Sequence, residues 1–392
     1  MEIVYIAIAD TGLKGVFSKV TGTINALADV GLNIRGLIMS SETASTAGNA
    51  IDVLQYTDPA KIYPAIEQYL SKNYRTFPLL YFRYPFADRH LSDFVKKRGT
   101  HIVFEHNTIE ESELALYFKY YTTRDFFYNL RKLDFSDAIG KRKLLKEEKN
   151  TGREILSYAK AGIAVTTEIA AYENSRAGKA YCKHVLGNAV YASVLPRIKK
   201  VLSTDTNKLR CIFVAGHANN WHGIDRAIQG MGAYKGTYDI SLIYVGKVLH
   251  TVKEQVEALG LSSKVVFAGM CEKDKLEELM LNTDLAISTL ALHRIPLKQG
   301  SVLKTREYLL HGVPTLIGYE DEELEADTLL NKYLIKAGAN DTPIDFELVI
   351  GELKKITASG VSPVEISTQL FKEYGIQAKA QQLKKALLEL SA

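Results

Sequence analysis

The sequence predicts an α/β protein made of two Rossmann-like domains with a cleft between them, and three observations predict it. Short, mostly apolar β-rich runs alternate with helical segments along the whole chain. These runs form two successive sets, each opened by its own strand and glycine-bearing turn: Ile3–Ala9 with Gly12 and Gly15, then Cys211–Ala215 with Gly216 and Gly223. Between the sets, Pro196 is followed by the basic stretch Arg197-Ile198-Lys199-Lys200 and the polar stretch Ser203-Thr204-Asp205-Thr206, the composition of a junction. At 392 residues the chain is long enough for each domain to bury its own core. The expected division is 1–195, 196–375 and a terminal segment 376–392.

In the first half the strand candidates are Ile3–Ala9, Ile34–Met39, Pro78–Phe82, His101–Glu105 and Ile163–Thr167. Each is apolar nearly throughout instead of alternating, as expected of strands covered by helices on both faces. The second half repeats the theme with Cys211–Ala215, Ile240–Val245, Val265–Ala268, Leu285–Ser288 and Thr315–Ile317. Open parallel sheets bind ligands beyond the carboxyl ends of their strands, so a site shared by two such domains is expected in the cleft between them. Ala378–Leu390 carries Leu383, Leu387 and Leu390 on one side and reads as an amphipathic packing helix.

Composition excludes more than it identifies. A net charge of +4 is too small to argue for nucleic acid as a partner. The three cysteines, Cys182, Cys211 and Cys271, are widely spaced, and neither they nor the histidines show a metal-ligand pattern, so no metal and a reduced, cytoplasmic setting are expected. No apolar stretch approaches the length of a membrane span, and the start of the sequence lacks the features of a signal peptide. Between Tyr117 and Arg153 aromatics (Tyr117, Tyr120, Tyr121, Phe126, Phe127, Tyr128) run into cations (Arg131, Lys132, Lys141, Arg142, Lys143, Lys146, Lys149). Two readings stay open there: a patch that lies on an anionic membrane surface, and a solvated helical hairpin whose aromatics pack on the domain and whose positive field Asp134, Asp137, Glu147 and Glu148 dilute. The acidic run Asp321, Glu322, Glu323, Glu325 and Asp327 reads as a solvated loop or face.

The stretch richest in chemistry runs from Thr289 to Gly318. It leaves a strand near Ser288, passes through a helix and enters the strand at Thr315 after Gly312 and Pro314. Glu307 falls near the start of that helix, where a carboxylate suits the paired hydroxyls of a ribose. The helix N-terminus, Ser301 and neighbouring amides suit a diphosphate, with Lys304 and Arg306 as adjacent cations.

Ser301-Val302-Leu303-Lys304-Thr305-Arg306-Glu307-Tyr308, followed by Gly312-Val313-Pro314 and preceded by Leu292-His293-Arg294, resembles the donor-binding signature of glycosyltransferase family 4, in its bacterial capsular and surface-polysaccharide branch. The resemblance covers the second domain and, more weakly, the first. It implies the GT-B fold and transfer of a sugar, with retention and without an essential metal ion. The donor would be a nucleotide sugar, most commonly UDP-linked, and the acceptor a glycan or lipid-linked molecule; no separate cofactor is implied. Family members place an arginine and a lysine in the turn that opens the second domain to hold the donor phosphates; here His217 and His222 occupy those positions, and Lys304 or Arg294 would supply the charge. Gly269 and Met270 match the edge of the nucleobase pocket, and His106 matches a histidine placed near the donor sugar. Gly12, Gly15 and Lys19 follow the first strand, where the fold's glycine loop approaches sugar and acceptor. Gly187-Asn188-Ala189 matches the turn leading into the interdomain link.

One departure matters. The family pairs two glutamates eight residues apart; the second falls on Glu307, the first on Gln299. An amide keeps hydrogen bonds to sugar hydroxyls but does not stabilise positive charge at the reacting carbon. Two further readings therefore stand beside the enzyme: a non-catalytic GT-B subunit that positions a partner glycosyltransferase, favoured by Gln299, His217 and His222, and a nucleotide-sugar epimerase, for which no residue speaks. Work at a membrane would be peripheral, on the inner face of the plasma membrane.

Overall fold

The computed structural model describes residues 2–10, 14–42, 50–115, 136–192, 194–196, 198, 207–217 and 219–391. Gly12, all the aromatics of the Tyr117–Arg153 segment with Arg131 and Lys132, and most of the basic and polar junction stretch lie outside the described residues. The chain divides into two compact units, 1–187 with 376–392, and 188–375.

The first unit holds a seven-stranded sheet in the order β3-β2-β1-β4-β5-β6-β7. Its strands are β1 (Ile3–Ile8), β2 (Ile34–Ser40), β3 (Ile51–Gln55), β4 (Leu79–Arg83), β5 (Ile102–His106), β6 (Ala161–Ala164) and β7 (Cys182–Val185), and every pairing is parallel. Successive residues of a strand point to opposite faces. Val4 and Ile6 of β1 join one core with Leu80, Phe82 and Phe104, while Ile3, Tyr5 and Ala7 join a second with Leu79, Tyr81 and Val103. Burial on both faces is what the unbroken apolar runs required. The final helix, Ile376–Ser391, returns to this unit and packs on the Lys14–Asp29 helix. Ala380, Ala386 and Leu387 sit in the second core, with Leu383 and Leu390 partly buried against it.

The second unit holds a six-stranded parallel sheet in the order β10-β9-β8-β11-β12-β13. Its strands are β8 (Lys208–His217), β9 (Asp239–Lys247), β10 (Val265–Gly269), β11 (Leu285–Ile287), β12 (Thr315–Ile317) and β13 (Leu334–Lys336). Two parallel-sheet Rossmann-like units in succession constitute the GT-B architecture. None of the described helices is long and apolar enough to cross a membrane. On the helix Ser136–Tyr158, Arg142, Lys143, Lys146 and Lys149 are exposed, whereas Glu148 is fully buried and so does not dilute their field.

Candidate functional site in the second unit

In the second sheet the strand order reverses between β8 and β11, so the connections leaving their carboxyl ends diverge and open a crevice. The chain leaves β8 at His217, makes a 3-10 turn at Asn220–His222 and enters the helix Ile224–Ala233. Gly223 joins the two with φ 67°. A Cβ there would lie 2.9 Å from the Ala291 backbone nitrogen, so another residue would be strained and would push the turn off the segment that leaves β11. The two segments are laced together: Leu290 N–H donates to His222 O at 2.9 Å and Ala291 N–H to Trp221 O at 3.2 Å.

The helix Leu303–Leu310 follows, and its first turn reaches the Phe213 ring of β8 on which His222 also packs. Its N-cap is Val302, whose side chain accepts no hydrogen bond, so the first-turn amides have no side-chain cap. The helix is nevertheless fixed. Tyr308 Oη accepts the Val214 N–H of β8 at 2.9 Å, and the hydroxyls of Ser288, Thr305 and Tyr319 form a buried chain with both steps at 2.6 Å.

From its first turn, Lys304 sends its Nζ over the Phe213 ring, 4.5 Å from the centroid. The ammonium is buried and has no hydrogen-bond partner, and burial pushes its pKa down to about 7. His222 stands edge-on to the same ring, centroids 6.0 Å apart. Its Nδ1 accepts the Asn219 N–H at 3.2 Å, which leaves the proton on Nε2. Burial and the nearby Lys304 charge hold this imidazole well below its usual pKa, so it is a neutral donor. One turn further on, the Glu307 side chain reaches solvent. Its carboxylate has no donor or cation among the described residues, and enclosure by the surrounding protein raises its pKa. An unpaired cation, a neutral N–H donor and uncapped amides therefore gather at the start of this helix, with an unpaired carboxylate one turn along it.

Other predicted residues are already committed. Arg294 grips Asp225 with two hydrogen bonds of 3.0 and 2.8 Å. It also donates to Asp341 at 2.7 Å and to Asn220 O at 2.7 Å. Arg306 is fully buried, paired with Asp321 at 2.7 Å and Glu323 at 3.0 Å. Neither guanidinium is spare charge, which corrects their expected place as free cations beside a phosphate. The acidic run is likewise not a solvated face. Asp321 and Glu323 hold Arg306, Glu325 pairs with Lys336, Asp327 accepts from Gln369 at 2.7 Å, and Glu322 accepts from the Gln299 amide at 2.8 Å. Ser301 Oγ accepts the Asn188 N–H at 2.7 Å and its carbonyl the Asn188 side-chain amide, so this serine fastens the chain's entry into the unit. Gly216 and His217 end β8 at an irregularity in its register with β9. Gly269 ends the edge strand β10 with φ 68°, and Met270 beyond it is 59% exposed.

In the first unit, Gly15 lies in the opening turn of the Lys14–Asp29 helix. Lys19 is buried against Glu105 at 2.8 Å and donates to the Asn107 side chain, so it is satisfied internally. Burial alone would raise the Glu105 carboxyl, but Lys19 and Arg83 outweigh it and hold it at about 2. His106 has no exposed surface. Its Nε2 meets Tyr181 Oη at 3.1 Å, and burial, reinforced by Arg176, pushes its pKa down to about 3. A sugar does not reach a side chain so enclosed, which corrects the expectation that it touches one.

What sequence reasoning missed lies in the partners: Asp225 and Asp341 for Arg294, the Ser288–Thr305–Tyr319 chain, and the buried Glu148 and Glu173 that, with Arg176, join Glu110 beside His106. Only the Glu173–Arg176 pair, three residues apart on one helix, carried a local signal.

The two units and the crevice of the second define a GT-B chain, and comparison with solved structures agrees on the fold. A HepE structure from Anabaena, in complex with UDP and glucose, matches with TM-score 0.65 at 14% identity over 99% of this chain and 100% of that one. A glycosyltransferase from Rickettsia africae matches with TM-score 0.62 at 13% identity, over 99% and 98%. The apo form of the lipopolysaccharide outer core galactosyltransferase WaaB matches with TM-score 0.62 at 13% identity, over 99% of both. No protein-family model and no curated protein matches the sequence.

Proposed function

We propose that the chain is a glycosyltransferase that takes a sugar from a nucleoside diphosphate, UDP foremost, and passes it to a glycan or lipid-linked acceptor in surface polysaccharide or glycoconjugate synthesis. The observation that carries this reading is Lys304: a buried ammonium with no partner, beside uncapped helix amides and one turn before an unpaired carboxylate. A buried cation without an anion is costly, and a diphosphate supplies the anion. Lys304, the first-turn amides and the Nε2–H of His222 hold the phosphates, Glu307 accepts from the ribose hydroxyls, and Gly269 and Met270 border the base. Charge grows on the diphosphate as the bond to the sugar breaks, and Lys304 and the amides stabilise it in place, without a metal ion. Retention of configuration follows from the family resemblance. HepE, with UDP and glucose in its structure, and WaaB, a lipopolysaccharide galactosyltransferase, support the donor and acceptor classes. The exposed cations of the Ser136–Tyr158 helix support peripheral attachment to the inner face of the plasma membrane.

The non-catalytic reading keeps one specific observation in its favour: an amide, Gln299, stands where the family pairs a carboxylate with Glu307, and Glu322 holds it. Thermal stabilisation by a panel of nucleoside diphosphates separates the two. The enzyme reading expects at least one nucleotide to raise the melting temperature by mass action, with the rise lost in Glu307→Ala. No response to any nucleotide, with the variant behaving as wild type, sinks it.

A further inference from the structure

Three side chains meet in the interior of the first unit. His106 ends β5, Glu110 opens the helical stretch 110–115, and Glu173 lies on the helix Thr167–Ala177. Each is buried, with 0%, 5% and 0% of its surface exposed respectively. One ligand atom from each lies within 4.8 Å of the other two. His106 Nδ1, Glu110 Oε2 and both Glu173 carboxylate oxygens have no hydrogen-bond partner.

The geometry points to a divalent transition-metal site made by His106 Nδ1 and the carboxylates of Glu110 and Glu173. The first argument is the lone pair. Tyr181 Oη takes up His106 Nε2 at 3.1 Å, leaving Nδ1 aimed at Glu173 Oε1 across 3.9 Å, too long for a hydrogen bond. With the ring proton on Nε2, donated to Tyr181 Oη, Nδ1 turns a lone pair toward that carboxylate oxygen, and a cation between them removes the repulsion. Tyr181 then does what partners of metal-bound histidines do, fixing the ring through its other nitrogen.

The second argument is charge. Glu148 is buried here as well; it takes Arg176 Nη2 at 2.5 Å, the Ala87 N–H at 2.5 Å and the Tyr84 hydroxyl at 3.1 Å. Arg176 thus balances Glu148, lying 3.7 Å from Glu173 without a hydrogen bond to it. Two carboxylates remain uncompensated, and one divalent ion makes the whole cluster neutral. Ligands of one ion at about 2.1 Å each stand about 3.0–3.6 Å apart at ordinary coordination angles, so side-chain shifts of up to about an ångström close the site. One imidazole with two carboxylates suits Zn²⁺ or Mn²⁺ better than Mg²⁺ or Ca²⁺, which prefer oxygen alone. Sealed from solvent, the ion would be structural: it ties the end of β5 to two helices and fixes the loop bearing Asn107, the partner of Lys19. It belongs to the first unit, whereas the nucleotide crevice belongs to the second.

The test uses the full chain, unfolded in guanidinium with chelator and refolded with ZnCl₂, with MnCl₂ or with neither. The expected result is about one ion retained per chain and a higher melting temperature with the ion, both lost in the Glu110→Gln/Glu173→Gln double variant. That variant is already neutral, so it folds without metal. For Mn²⁺, pulsed electron paramagnetic resonance of the wild-type chain detects one coordinated imidazole nitrogen, a readout independent of any variant. Retention of neither ion overturns the site and leaves the two carboxyls protonated instead. Retention that survives the double substitution, or Mn²⁺ without nitrogen coupling, places the ion elsewhere and equally overturns it.

Discussion

Lys19 and Lys304 are both buried lysines near the start of a helix in a Rossmann-like unit, and they differ in one respect. Lys19 meets Glu105 at 2.8 Å and the Asn107 side chain; among the described residues the Lys304 ammonium has no hydrogen-bond partner and lies over the face of Phe213. The first is finished inside the protein, while the second waits for an anion. A buried cation is costly unless paired, and the proposed nucleotide is what would offset that cost at Lys304.

The largest expected effect comes from substituting both lysines. Lys19→Met strands the buried Glu105 carboxylate and should cost about 3–5 kcal/mol of stability, read by denaturant unfolding. Lys304→Met removes an unpaired ion and should stabilise the nucleotide-free protein at neutral pH by up to about 4 kcal/mol, the size of the shift from about 10.4 to about 7, while the response to nucleotide disappears. Equal destabilisation by the two would erase the distinction.

Acidity sharpens the comparison next. With its pKa at about 7 in the folded protein and about 10.4 unfolded, Lys304 binds more protons when unfolded. Its penalty is therefore full below pH 7 and fades as pH rises toward 10. The advantage of Lys304→Met over wild type should shrink across that window. Nucleotide affinity should move the other way, falling by up to about tenfold per pH unit above pH 7, because the anion needs the protonated amine. Lys19, with its partner inside, should contribute no such slope to binding.

Glu307→Ala is expected to weaken nucleotide binding by roughly tenfold while changing stability by less than about 0.5 kcal/mol, since the carboxylate has no internal partner to strand. Smallest of all in stability is Gln299→Glu. It sets a carboxylate beside Glu322 at a partly exposed position and should cost no more than about 1 kcal/mol, with its larger effect on the rate of sugar transfer.

Much of this fold was legible because buried parallel strands write themselves as apolar runs. The strands that escaped are three at sheet edges: β3, reading Ile51-Asp52-Val53-Leu54-Gln55, β7, half exposed, and β13, three residues long. An edge strand is covered less completely, so its sequence carries less of the signal. β6 was read two residues late, since Val165-Thr166-Thr167 is as β-prone as the strand it follows. In the site, local pattern placed Lys304 and Glu307 on one short helix. It did not reveal which cations are spent, because that depends on partners distant in sequence: Glu105 for Lys19, Asp225 for Arg294. Arg306 differs, since Asp321 lies only fifteen residues on, yet a strand and two turns separate them.

Calorimetric titration of UDP at pH 8, in two buffers of different ionisation enthalpy, tests the central claim most directly. With Lys304 at about 7 in the free protein, binding should draw in nearly one proton from the buffer, and Lys304→Met should bind far more weakly with none. Tight binding with no proton uptake, or binding unaffected by the substitution, would contradict the account.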